Sequence, residues 1–204
     1  MQTEIIFSNN NSSILNSKDY FEDFRFEKLQ EDSLTVKNVE FCNCTFANNQ
    51  FIKCSFLNCR FEDCSFVNTD FSLSIFKSSS FFGAHFKDCK LIGINWTKAL
   101  KPLKLKFTDC KINDSLFVGL DLRGISMTNC EARNSDFEKA NLIKANLVNS
   151  DFLNSNFDAA NLTSADLTGA VNYIINPNLT AIKHARFSQP EVLQLLAFWE
   201  IEID

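Results

Sequence analysis

Phe51-Ile52-Lys53-Cys54-Ser55-Phe56-Leu57-Asn58-Cys59-Arg60-Phe61-Glu62-Asp63-Cys64-Ser65-Phe66 repeats one pattern every five residues. A large apolar residue falls on each beat, a small residue stands two places before it, and polar residues fill much of the rest. Read outward, the beat runs from Val36 through Phe41, Phe46, Phe71, Phe76, Phe81, Phe86 and Leu91 to Trp96. An amphipathic helix needs apolar spacing near 3.6 residues and a half-buried strand needs 2. A period of five serves neither, so the repeat is itself the unit of structure.

The pattern resembles that of the pentapeptide repeat family: a small residue, a polar residue, Leu or Phe, then two variable positions. Cys54-Ser55-Phe56-Leu57-Asn58 and Ala140-Asn141-Leu142-Ile143-Lys144 carry it. The resemblance implies an all-β solenoid, a right-handed quadrilateral β-helix with four repeats per square coil. In such a coil the beat residue and the small residue point inward. Residues 20 apart then stack one strand spacing, ~4.8 Å, from each other. Each buried Phe contributes roughly 1.5–3 kcal/mol, and only neighbouring coils can bury it.

Taken in order, residues 1–35 set Phe21, Phe24, Phe26 and Leu29 among acids that include Asp19, Glu22, Asp23, Glu31 and Asp32. They read as a polar N-terminal cap over the first coil. Residues 36–96 form the first run. From Trp96 to Phe107 is eleven residues rather than ten, and 97–106 holds Lys98, Lys101, Lys104, Lys106 and Pro102. Pro removes a ladder donor, so this stretch reads as a loop or bulge. It is either a tolerated insertion or a binding loop on a rigid scaffold. In the second run, 107–170, Leu replaces Phe. Glu131 and Asp151 stand 20 apart, as do Glu138 and Asp158, with Asp136 and Asp166 nearby. Like charges so stacked repel; they make either a solvated face or an acidic docking surface.

The tail, 171–204, opens on an Asn176-Pro177 turn. Ser188-Gln189-Pro190-Glu191 has capping-box spacing and predicts a short C-terminal capping and dimerisation helix. Its Val192, Leu193, Leu196, Phe198 and Trp199 supply more apolar surface than one cap needs, which points to a homodimer. Residues 201–204 alternate like a short strand. The whole reads as one domain.

Phe accounts for 22 of 204 residues, and the beat explains that excess. Of eight cysteines, Cys44, Cys54, Cys59, Cys64, Cys89, Cys110 and Cys130 occupy the small inward slot, and Cys42 does not. They read as small hydrophobes rather than zinc ligands, and free thiols suit a reducing compartment. No signal peptide or ~20-residue apolar span is legible, so the expected location is cytoplasmic. A net charge of −5 argues against direct nucleic-acid binding. His85 and His184 lack a nucleophile at a recognisable spacing, and no phosphate loop or metal cluster appears. The expectation is no enzyme, no cofactor and no metal.

The two-run layout, the interruption after Asn95-Trp96-Thr97 and the tail from Asn176 also resemble the Qnr, McbG and MfpA group of that family. This resemblance implies a rod-shaped dimer joined at its C-terminal ends. It also implies a partner, DNA gyrase or topoisomerase IV, protected from quinolones or toxins by a duplex-like shape and charge. Candidate partner-binding residues are Glu131, Asp136, Glu138, Asp151, Asp158 and Asp166, with Lys98, Lys101, Lys104 and Lys106. Seven coils make a rod of ~35 Å, for which DNA would carry ~20 charges, so mimicry can only be local. The alternative is a structural scaffold with an unrelated partner.

Overall fold

The structure is a computed structural model that describes residues 4–7, 12–199 and 201. The strand expected over 201–204 falls largely outside the described residues. The chain winds into a right-handed quadrilateral β-helix of about eight turns with a short helix at its C-terminal end. Four walls rise side by side, named here for the residues of one coil: the Phe46, Phe51, Phe56 and Phe61 walls. All strand pairs are parallel. Phe46 lies between Phe26 and Phe66, and Phe61 between Phe41 and Phe81, each 20 residues apart.

The beat residues form four stacks along the rod. Phe46 and Phe66 lie 5.0 Å apart, Phe66 and Phe86 4.4 Å, and Phe117 and Phe137 4.9 Å, all nearly parallel. Neighbouring stacks meet edge to face, as Phe51 and Phe56 do at 88°. Strand spacing and the preferred aromatic separation of 4.5–7 Å coincide, so one residue type fills the core repeatedly.

The small slot does more than save space. Ser74 Oγ donates to the Phe51 carbonyl at 2.5 Å and accepts the Cys54 N–H at 2.9 Å. Ser135, Ser150 and Thr180 donate in the same way to the carbonyls of Ile112, Met127 and Phe157. Cys64 and Cys89 place their thiols 3.3 and 3.4 Å from the carbonyls of Phe41 and Phe66. Each slot that holds Ser, Thr or Cys in this way ties its coil to the preceding one. All eight cysteines are free. Burial pushes the Cys54 thiol up to about 11 and raises Cys59 as well. These are inert thiols at ordinary pH.

Each corner is turned by a residue with positive φ two places after the beat, as at Asn58 (+54°), Asn68 (+46°) and Asn134 (+54°). Left-handed backbone costs an ordinary L-residue roughly 1–2 kcal/mol, and Asn and Asp tolerate it best. Their side chains then bond up the rod: Asn68 Nδ2 donates to Asn48 at 2.8 Å and Asn134 Nδ2 to Asp114 at 3.1 Å. In the second run the corner closes as a tight turn, with the Ala140 N–H on the Phe137 carbonyl at 2.9 Å. That leaves single bridges where the first run has short strands.

Two boundaries differ from the sequence reading. The coil reaches into residues 1–35. Glu4–Phe7 pairs with Phe24–Glu27, and Tyr20–Glu22 pairs with Glu40–Cys42. Phe21 and Phe26 keep the beat, but Glu31 stands where the next apolar residue belongs, opposite Phe51. Partial burial raises its carboxyl above the usual range. At the far end, Leu167 pairs with Phe187, so coiling passes the expected stop at 170. There Asn156 pairs with Ile174, 18 residues on, while Asn161 pairs with Ala181 at the regular 20. One side has lost two residues and the Asn176-Pro177 corner has gained them, which hides the beat. The stretch 97–106 is a bulge held within the wall. Leu103 and Leu105 turn inward, and Lys104–Thr108 joins the sheet beside Ser80–Lys87. The coil carries one extra residue and stacking resumes with Lys90 on Lys111 and Lys111 on Glu131.

Phe56 is 1% exposed, and Lys53 projects from a corner. Phe56→Ala should cost ~3–5 kcal/mol in urea unfolding and Lys53→Ala under ~0.5. Equal losses would contradict the inward stack.

Candidate functional site

Outward residues just before each beat stack into ladders. On the Phe51 wall one runs Gln50, Asp70, Lys90, Lys111, Glu131, Asp151. Lys90 reaches Asp70 at 3.6 Å, Lys111 reaches Glu131 at 3.2 Å and Arg133 reaches Asp151 at 2.8 Å. Arg186 pairs with Asp166 at 2.9 Å and Lys139 with Glu138. Stacking therefore relieves much of the negative charge on these walls: four of the six acids face a base. Three of those bases lie 18–20 residues away in sequence and arrive through stacking, so a linear reading passes over them. Asp136 instead accepts the Glu138 N–H at 2.9 Å and the Asn156 amide at 3.1 Å. Asp158 is exposed and has no ion-pair partner among the described residues. Exposed pairs of this kind are each worth ~0–1 kcal/mol; their main effect is to cancel field.

Two carboxyls in this set sit below the usual range. Burial pushes Asp151 up, but hydrogen bonds from Asn172, the Leu153 N–H and Arg133 outweigh it. Burial likewise opposes Asp166, and Thr168 and Arg186 prevail.

The four lysines of the interruption do not form one patch. Lys98 lies against Leu73, Ile75 and Lys77 in a groove of about 400 Å³ on the Phe56 wall. Lys104 and Lys106 line a different groove, of about 440 Å³, where the bulge meets the coils on either side. Its floor is Ala84, Leu103, Leu105 and Ile125, and Arg123 and His85 complete the rim. Lys101 is exposed outside both. The Lys104 ammonium sits 4.2 Å from the Phe82 ring centre, a cation–π contact. Arg123 is engaged with Asp121, with Nε to Oδ1 at 2.8 Å and Nη2 to Oδ2 at 2.6 Å. His85 Nε2 lies 3.2 Å from Thr108 Oγ1. Burial, then the neighbouring Lys106 charge, holds its imidazole below the usual range. Sequence alone flagged the lysines but missed Arg123 and His85, which stacking brings to them.

At the C-terminal end, Glu191–Trp199 forms a 3₁₀ helix. Leu195 is buried and Val192 packs on the core, so both cover the last coil. Leu193 and Trp199 face outward at 44% and 49% exposure, and Leu196 and Phe198 are half-buried. Ser188 makes no capping box: its Oγ accepts the Gly169 N–H at 2.9 Å and so ties the helix to the coil. His184 is an exposed corner residue with φ +60°. Among the described residues no group of three His, Cys, Asp or Glu could hold a metal ion, and no helix is long and apolar enough to cross a membrane.

The profile described as Pentapeptide repeats (8 copies) matches residues 54–93, 106–142 and 135–171, more than half of the chain. This chain belongs to the pentapeptide repeat family. Among solved structures it is similar to a trypsin-treated form of QnrB1, a plasmid-mediated fluoroquinolone resistance protein. That match is 18% identical, covers 88% of this chain and 100% of that one, and has a TM-score of 0.65. Full-length QnrB1 is 16% identical over 98% and 96% of the two chains, with a TM-score of 0.62. HetL, a pentapeptide repeat protein involved in heterocyst differentiation regulation from the cyanobacterium Nostoc sp. strain PCC 7120, is 10% identical over 85% and 89%, at 0.52. At these identities the likeness is one of fold. Comparison with curated proteins finds no match.

Asp151 and Asp166 bind protons less readily folded than unfolded. Their contribution is complete above the unfolded value of about 3.9 and is lost as pH falls below it. The melting temperature should drop as pH falls from about 4 through the lowered folded values, and Asp151→Asn with Asp166→Asn should make that drop shallower. Parallel curves would contradict the assignment.

Proposed function

We propose that this protein is a non-enzymatic binding rod that engages a type II topoisomerase, DNA gyrase or topoisomerase IV, and changes its response to quinolones or toxins. The observation that carries this reading is the end-to-end similarity of the coil to QnrB1, a fluoroquinolone resistance protein. The charge geometry shapes how such binding works. Nine strand steps from Ile6 to Phe187 make a rod of ~43 Å. Duplex DNA of that length carries ~25 charges, against a net −5 here with most second-run acids paired. The rod offers a stiff shape with a local acidic spot at Asp136 and Asp158, not a charge-matched decoy. The internal pairing of acids favours a second reading, a scaffold for an unrelated partner.

A supercoiling assay with purified gyrase and a quinolone separates the two. Titrating the protein should restore supercoiling. Asp136→Asn with Asp158→Asn should weaken that rescue by roughly tenfold, about 1.4 kcal/mol of binding, and Asp151→Asn with Asp166→Asn should weaken it less. No effect of the wild type at large molar excess assigns the scaffold reading.

The same reading includes a homodimer through the C-terminal end, supported by the outward Leu193, Trp199 and Ile201 beside the last coil. Sedimentation velocity should show a dimer that Leu193→Glu with Trp199→Glu converts to monomer. A wild-type monomer at tens of micromolar would remove this part of the proposal.

A further inference from the structure

The groove at the bulge differs in sign from the rest of the molecule. The chain as a whole is acidic, at −5. Around this groove stand Lys104 and Lys106, neither ion-paired with an acid among the described residues, together with Arg123 and His85. Two acids stand nearby, and of these only Asp121 is ion-paired among the described residues. Asp121 holds Arg123, and Asp63 packs where a Cβ on Gly83 would stand, 2.0 Å from its Oδ1. Gly83 has φ +72°, so a side chain there would be both strained and blocked; the glycine keeps this corner low and the groove open. Gly124, on the other side, also has positive φ, but a Cβ there would meet nothing within 4 Å. The groove lies where this coil carries its extra residue. The Ser80–Lys87 and Lys104–Thr108 strands slip register between Phe82 and Ala84.

The donors available indicate the ligand. The Arg123 fork is occupied, and the Gly124 N–H is spent on the Ile143 carbonyl at 2.9 Å. No convergent set of buried donors remains to cradle a phosphate. What remains is two exposed ammonium groups on the outward face of one strand, with Leu105 between them pointing inward. Two residues along a strand place them ~6.6–6.8 Å apart at their bases. An extended chain with an acid at every second residue presents its carboxylates at that same interval.

We propose that this groove binds an extended acidic segment of a partner protein, with carboxylates on alternate residues pairing with Lys104 and Lys106. The site is distinct from the acidic face and C-terminal end invoked above.

The test uses the full chain and a fluorescein-labelled peptide of four Glu-Val repeats, read by fluorescence anisotropy at low salt. The wild type should bind it, and binding should weaken as ionic strength rises. Lys104→Glu with Lys106→Glu should weaken it at least roughly tenfold, while Lys90→Glu with Lys111→Glu on the Phe51 wall should leave it within roughly twofold. Both pairs are exposed, and circular dichroism confirms that the variants are folded. Backbone amide shifts on titration should cluster at residues 83–85, 103–106 and 123–125. Equal binding by the Lys104/Lys106 variant, equal loss in the Phe51-wall variant, or displacement by millimolar inorganic phosphate each overturns the proposal. No topoisomerase is present, so the result is independent of the supercoiling assay.

Discussion

Each coil must turn a square corner every fifth residue while its backbone keeps hydrogen-bonding along the rod. That constraint organises the whole chain. The turn places one residue per repeat in the left-handed region, as at Asn58 and Asn134. It also leaves the beat residue's carbonyl pointing toward the neighbouring coil, away from any strand partner. A buried carbonyl without a donor is costly. In the first run the hydroxyl or thiol of the small slot supplies the donor, as Ser74 does for Phe51 and Cys64 for Phe41, and where the corner closes as a tight turn the slot residue's own N–H does so, as Ala140 does for Phe137. Ser, Thr and Cys recur there because they are both small and able to donate; Ala fills the slot only on size. Phe stacking follows once the coils are locked at strand spacing.

The surface obeys the same rule of stacking. A residue's neighbours on a wall are the residues 20 before and 20 after it, more than those beside it in the chain. Charges that look isolated in sequence therefore meet across coils, as Arg186 meets Asp166. Such a surface can pair its charges across coils, and one place where charge stays unpaired is where the period is disturbed. The bulge at 97–106 is that place: it displaces the ladder by one residue and strands Lys104 and Lys106 without acids opposite.

Much of the fold was legible because the five-residue beat is a direct print of the core. Its centre, from Phe41 to Phe86, appears in the structure residue for residue as buried side chains. The ends were less legible for a local reason. One substitution at Glu31 and one two-residue shift near Asn176 erase the beat without ending the coil. The dual role of the small slot was also hidden, since size explains Cys, Ser and Ala equally well until the carbonyl positions are known.

By itself, then, the amino-acid sequence determined the repeat, the identity of the inward residues and the place of the interruption. These are properties of a one-dimensional period, and an inward side chain on every fifth residue admits few backbones. The tertiary structure alone decided which charges cancel and which groove stays open. It also decided that the Ser188 hydroxyl ties the final helix to Gly169 instead of capping its own turn. Those outcomes depend on distances between coils, where a shift of one residue in register changes every partner on the wall.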